Sequence, residues 1–129
     1  MGKKTTLIAL VEAKAHLNAE LLRGQGRSWE PAGQSFLFLR ENDKRGGAEV
    51  HERVQDVFVV LDGKPLFVVG GELIDPAKKE GGEFRAKEIS GGERINLIPG
   101  DTLVIPAGTP HQRLANGQIF LQVFKIPAK

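Results

Sequence analysis

Two short stretches carry residues that could do chemistry. In EVHERVQD, His51 lies between Glu49 and Arg53, and Asp56 closes the stretch. In GDTLVIPAGTPHQRL, His111 follows a stiff corner made of Pro106, Gly108 and Pro110. Side chains alternate along a strand, so Glu49, His51 and Arg53 are expected on one face. There is no cysteine, which excludes disulfides, thiolate zinc sites and cysteine nucleophiles. Any metal must therefore be held by nitrogen and oxygen donors. Other chemistries find little support. GGERINLIPG lacks the lysine and hydroxyl residue of a phosphate loop. Ser28, Ser35 and Ser90 have no nucleophile-elbow context. Tyrosine is absent and there is one tryptophan, so no stacking platform for nucleic acid exists.

The elements that must position these residues are mostly strands. A length of 129 residues suits one domain with one core. The net charge of +2 is small and the two signs are interspersed, which argues against a nucleic-acid partner. Leu10, Leu17 and Leu21 share a helical face, widened by Leu7, Ile8, Val11 and Leu22, so a helix is expected over 6–22. His16 falls among its polar residues and reads as a surface residue. The run Leu7 to Val11 is cut by Glu12 and is too short for a signal peptide. The match of Met1-Gly2 and Thr6 to a myristoylation pattern is weak. No stretch is long enough to span a membrane, and a cytoplasmic protein is expected.

From Gln34 onward short apolar runs alternate with turns. Strands are expected in SFLFLR, AEVH, DVFVVL, PLFVVG, EFRAKEI, RINLI, TLVIP and QIFLQVFKI. Asp62-Gly63 and Asn116-Gly117 read as hairpins, the former as a type I′ turn. Many short strands spaced by Gly and Pro turns point to a sandwich or barrel.

The spacing Gly100, Pro106, Gly108, His111 resembles the second conserved motif of the cupin family, G-x5-P-x-G-x2-H, at every fixed position. Only the motif's closing asparagine is lost, because Ala115 stands there. The first cupin motif, G-x5-H-x-H-x3,4-E-x6-G, is kept in its second half, with Asp56 in place of glutamate and Gly63 after the six residues VFVVLD. Its histidine pair is reduced to His51. In one register Arg53 replaces the second histidine; in the other, which keeps the family spacing to Asp56, Glu49 replaces the first. The resemblance covers roughly residues 34–127. It implies an all-β fold, a cupin jelly-roll (double-stranded β-helix) barrel, assigned to 31–129; the N-terminal α-helix lies outside the resemblance, and residues 1–30 are expected to form it and a connecting arm.

The same resemblance implies one divalent metal ion in the barrel mouth, iron, manganese, zinc or nickel, held by His51, His111, Glu49 and Asp56. Two imidazoles and a carboxylate form the donor set of non-haem iron sites with open positions. Asp56, shorter than glutamate, could instead cap the turn before DVFVVL. Whichever of Glu49 and Asp56 is not a ligand is expected to act as general base. Arg53, pointing inward, would repel the metal or clamp an anionic substrate beside it. Phe58 and Gln122 are expected against a small-molecule substrate; the other phenylalanines read mainly as core. The expected activity is a dioxygenase, isomerase or lyase acting on a small organic molecule. The alternatives are a non-catalytic ligand-binding module with a degraded metal site, and an accessory scaffold. A homodimer is expected, with the helix or the Arg27 to Gly33 arm, including Trp29, at the contact.

Overall fold

A computed structural model describes residues 27–29, 35–43 and 45–128. The helix expected over 6–22, and most of the arm over 27–33, lie outside them. The described residues form two facing antiparallel sheets. The first runs β1 (Arg27–Trp29), β2 (Ser35–Asn42), β13 (Gln118–Pro127), β4 (Val54–Asp62), β11 (Thr102–Ile105). The second runs β10 (Glu93–Asn96), β5 (Leu66–Val69), β12 (His111–Leu114), β3 (Arg45–His51), β8 (Glu83–Ala86), β7 (Ala77–Lys79). A small ribbon pairs β6 (Glu72–Leu73) with β9 (Ile89–Ser90), and one 3-10 turn spans Glu80–Gly82. No helix among the described residues is long and apolar enough to cross a membrane.

The long strands alternate between the layers: β2, β4, β11 and β13 in the first, β3, β5, β10 and β12 in the second. This is a jelly-roll winding. Among the described residues no hydrogen-bonded pairing joins the two large sheets, so the expected jelly-roll barrel is not closed. The winding also overturns both expected hairpins. Asp62-Gly63 links β4 to β5 and Asn116-Gly117 links β12 to β13, and each pair of strands lies in different sheets. At both sites only the glycine has positive φ, +81° at Gly63 and +74° at Gly117, whereas a type I′ turn needs two such residues. A Cβ at Gly63 would lie 2.8 Å from the Ile119 Cα, so the corner also requires glycine for space.

Alternation fills the space between the layers. On β4, Asp56, Phe58 and Val60 are buried in turn, and on β13 Leu121 and Val123 are. Phe58 meets Phe67 of β5 with ring centroids 4.8 Å apart, joining the layers. Ile105, Leu97, Ile119 and Ala115 complete the core. Each such buried apolar side chain contributes about 1.5–3 kcal/mol. Phe58 and Val123 of this core also border a cavity between the layers.

Candidate metal centre

The strand carrying Glu49 and His51 ends at His51; residues 52–53 form the bend from β3 into β4 of the opposite sheet. Alternation therefore stops before Arg53. That side chain is exposed at the bend and does not line the cavity. Asp56 is the third residue of β4, on the inward face with Phe58, and only 1 % exposed. It thus arrives opposite His51 from the other layer.

His111 opens β12, which pairs with β3 so that His111 lies opposite Glu49. The corner before it is tied down twice. Gly108, at φ +82°, donates its N–H to the His51 carbonyl at 2.8 Å, and Gly70 donates to the Pro110 carbonyl at 2.8 Å. The PAGTP corner therefore rests directly on the end of the strand that carries the other histidine.

The four side chains converge. Glu49 Oε2 and Asp56 Oδ2 lie 2.9 and 3.2 Å from His51 Nε2. His111 Nε2 lies 3.6 Å from Asp56 Oδ2 and 4.0 Å from Glu49 Oε2. Donor atoms of Glu49, His51 and His111 all fall within 4.8 Å of one another. Ligands about 2.1 Å from one ion stand about 3.0 Å apart when cis in an octahedron and about 3.4 Å apart in a tetrahedron. These separations therefore fit a shared divalent ion. His51 Nε2 is buried and has no hydrogen-bond partner, since neither nearby oxygen is aligned with it. Such an orphaned nitrogen is what a metal would satisfy.

The other ring nitrogens are anchored. His51 Nδ1 faces both oxygens of Glu83 on β8, at 2.6 and 2.7 Å. His111 Nδ1 donates to the Thr109 carbonyl at 3.0 Å. Each contact turns the remaining Nε2 into the cavity, the arrangement that orients metal-binding imidazoles. The carboxylates are held from behind by cations. Arg85 Nη1 donates to Glu49 Oε1, and Lys125 Nζ donates to Asp56 Oδ1 at 2.9 Å. Each acid thus keeps one oxygen for a cation and turns the other towards the imidazoles.

Without a metal the charges act on one another strongly. The Asp56 carboxylate first, then Glu49, favour the imidazolium form of His51, pushing it up to about 10 against the opposing effect of burial. Burial works to raise the Asp56 and Glu49 carboxyls. The contact with His51, together with Lys125 at Asp56 and Arg85 at Glu49, outweighs it, and both lie below the usual carboxylate range. Burial lowers His111, which keeps its imidazole neutral near pH 7.

These residues line a cavity of about 490 Å³ with Phe58, Leu37, Leu39 and Val123 as its apolar wall. Gly46 and Gly47 leave room on the β3 side. Gln122 is not on this wall; it pairs with Val59 and Phe38 on the opposite face of β13 from Val123. Sequence reasoning missed Glu83, Arg85, Arg113 and Lys125, which all line the cavity. Lys125 had a signal: alternation in FLQVFKI places it on the face of Leu121 and Val123.

No family model matches the sequence, and no curated protein matches it. Solved structures do. A cupin-2 domain containing protein from Shewanella frigidimarina is 18% identical, with a TM-score of 0.55 over 81% of this chain and 80% of that one. Hydroquinone 1,2-dioxygenase PnpCD, in complex with Cd²⁺ and 4-hydroxybenzonitrile, is 19% identical, with a TM-score of 0.58 over 99% and 83%. Hydroquinone 1,2-dioxygenase from Sphingomonas sp. TTNP3, with 4-hydroxybenzoate bound, is 14% identical, with a TM-score of 0.54 over 74% and 60%. Such identities carry the fold and nothing finer. In topology and likeness alike, the chain has the cupin fold.

Proposed function

We propose that the protein is a metal-dependent enzyme that acts on a small organic molecule, of the dioxygenase type. One divalent ion is held by His51, His111 and Glu49, with Asp56 as a further oxygen donor. The observation that carries this reading is the convergence of two imidazole Nε2 atoms and two carboxylate oxygens, one nitrogen orphaned, in a cavity with an apolar wall. Two structural neighbours that are hydroquinone dioxygenases support it. A redox-active ion bound there supplies oxygen activation, and a redox-inert one supplies Lewis acidity. The chain does the rest. Glu83 accepts a hydrogen bond from His51 Nδ1–H and fixes the ring. The Thr109 carbonyl accepts from His111 Nδ1–H in the same way. Arg85 and Lys125 stop the two acids from swinging away. Phe58, Leu37 and Leu39 shed water from one side of the substrate.

The test is metal loading. Protein exposed to Fe(II), Mn(II), Zn(II) or Ni(II) should retain one ion per chain by elemental analysis, and His111→Ala should retain none while keeping the wild-type circular dichroism spectrum. Oxygen uptake by the iron-loaded protein with hydroquinone separates oxygenase chemistry from isomerase or lyase work. One observation favours a second reading, a metal-free binding module. Lys125, Arg85 and a protonated His51 already balance Asp56, Glu49 and Glu83. Full retention of fold and ligand binding with no ion taken up would select it.

A further inference from the structure

Three carboxylates line the cavity, Glu49, Asp56 and Glu83, and three cations face them, Arg85, Arg113 and Lys125. With both imidazoles neutral, as a bound ion requires, these six charges cancel. A dication therefore leaves the cavity positive by two charges, or by one when Glu41 is counted, which binds Arg113 at 2.6 and 3.2 Å from behind the wall. The surplus is also placed. Lys125 gives Asp56 one hydrogen bond and has two further N–H groups, and its side chain is 34% exposed. Arg85 is about half exposed and likewise engages its acids along one side. Leu37, Leu39, Phe58 and Val123 form an apolar wall on the first sheet, beside Lys125 of β13 and across the layers from Arg85 of β8. A pocket that adds surplus positive charge to an apolar wall selects a ligand that carries both a negative charge and an apolar body.

Resting on the metal-site reading above, we infer that the ligand is a small organic anion: a carboxylate on an apolar body about the size of one aromatic ring, its charge held by Lys125 and Arg85. Neutral and cationic molecules of the same shape are disfavoured. Arg53, expected to do this work, is replaced in it by cations from β8 and β13.

The test uses two probes of nearly equal shape, 4-hydroxybenzoate and the neutral 4-hydroxybenzonitrile, titrated calorimetrically into zinc-loaded protein. The carboxylate should bind on the order of tenfold more tightly or better, about the effect of one close charge in a partly shielded site. Lys125→Met should bring the two within about threefold by weakening the carboxylate alone, and Lys125→Arg, which keeps the charge, should retain the preference. Equal affinities, a preference for the nitrile, or no binding of either probe overturns the inference. So does an unchanged preference in a folded Lys125→Met protein; if that variant does not fold, the wild-type ratio and Lys125→Arg decide. Zinc content measured on the same samples separates the two readings. Zinc held without discrimination removes this inference alone, whereas no zinc removes the metal site and this inference with it.

Discussion

Both oxygens of Glu83 lie on a single nitrogen of His51, 2.6 and 2.7 Å from Nδ1. The acid comes from β8, thirty-two residues away in sequence, and leaves the ring one orientation in which Nε2 meets the other donors. Glu83 is thus a positioning residue that touches no ion itself. Glu83→Gln should weaken metal binding by roughly 10–100-fold, the usual cost of removing such a partner. Competition with a chromophoric chelator measures this. Glu83→Gln should also lower the pH at which His51 gives up its proton, a shift that simple loosening of the fold would not produce.

Metal uptake should release a proton well above the ordinary histidine range. His51 is pushed up to about 10 without a metal, and the ion needs a neutral imidazole. Affinity should therefore rise about tenfold per pH unit from 7 to 9 instead of levelling off above 6.5. Calorimetry in buffers of different ionisation enthalpy should count close to one proton released per ion. A count near zero at pH 8 would contradict it.

The same shift sets the alkaline stability of the metal-free protein. A raised pKa stabilises the fold fully below the unfolded value of 6.5 and loses that contribution as pH climbs through about 10. Metal-free protein should melt progressively lower between those limits. Zinc-loaded protein should not, because its His51 carries no proton to lose. Paired thermal scans across this range test both statements.

Separate substitutions rank the two acids. Asp56 is almost wholly enclosed and Glu49 is about a quarter exposed at its side chain. Asp56→Asn should destabilise the protein by a few kcal/mol, because it leaves Lys125 and His51 facing each other without the charge between them. Glu49→Gln should cost less stability and more metal affinity. Denaturant titration and chelator competition on both variants give the comparison.

Gly63→Ala probes the winding. The residue sits at φ +81°, with the backbone of Ile119 in the path of any Cβ. The substitution should cost roughly 1–3 kcal/mol or more, although the position is far from a hairpin apex and touches no part of the site.

Much of the site was legible because strand alternation and the PAGTP corner are local signals. Asp56 reads inward from VQDVFVV once Phe58 and Val60 are core, and His111 follows from the corner that Gly108 ties to His51. What failed was what depends on pairing between distant strands. Asp62-Gly63 has hairpin chemistry, but the partners of β4 are β11 and β13, so the turn became a corner between layers. Arg53 continues the period of Glu49 and His51 on paper, yet the chain leaves the sheet at His51. Glu83 and Arg85 lie in an ordinary charged strand, and only its register beside β3 brings them to His51 and Glu49.

The unclosed barrel has one more consequence. His51, His111 and Glu49 belong to one layer, whereas Asp56 and Lys125 belong to the other. Among the described residues no strand pairing closes the two large sheets into a ring, so an ion shared by these donors would act as a rivet between leaves otherwise joined by apolar packing, the Arg113–Glu41 ion pair and connecting loops. Occupancy and rigidity would then be one variable: a hundredfold excess of ion over its dissociation constant adds about 2.7 kcal/mol to the fold, and slowed amide exchange should be concentrated where β3 faces β4.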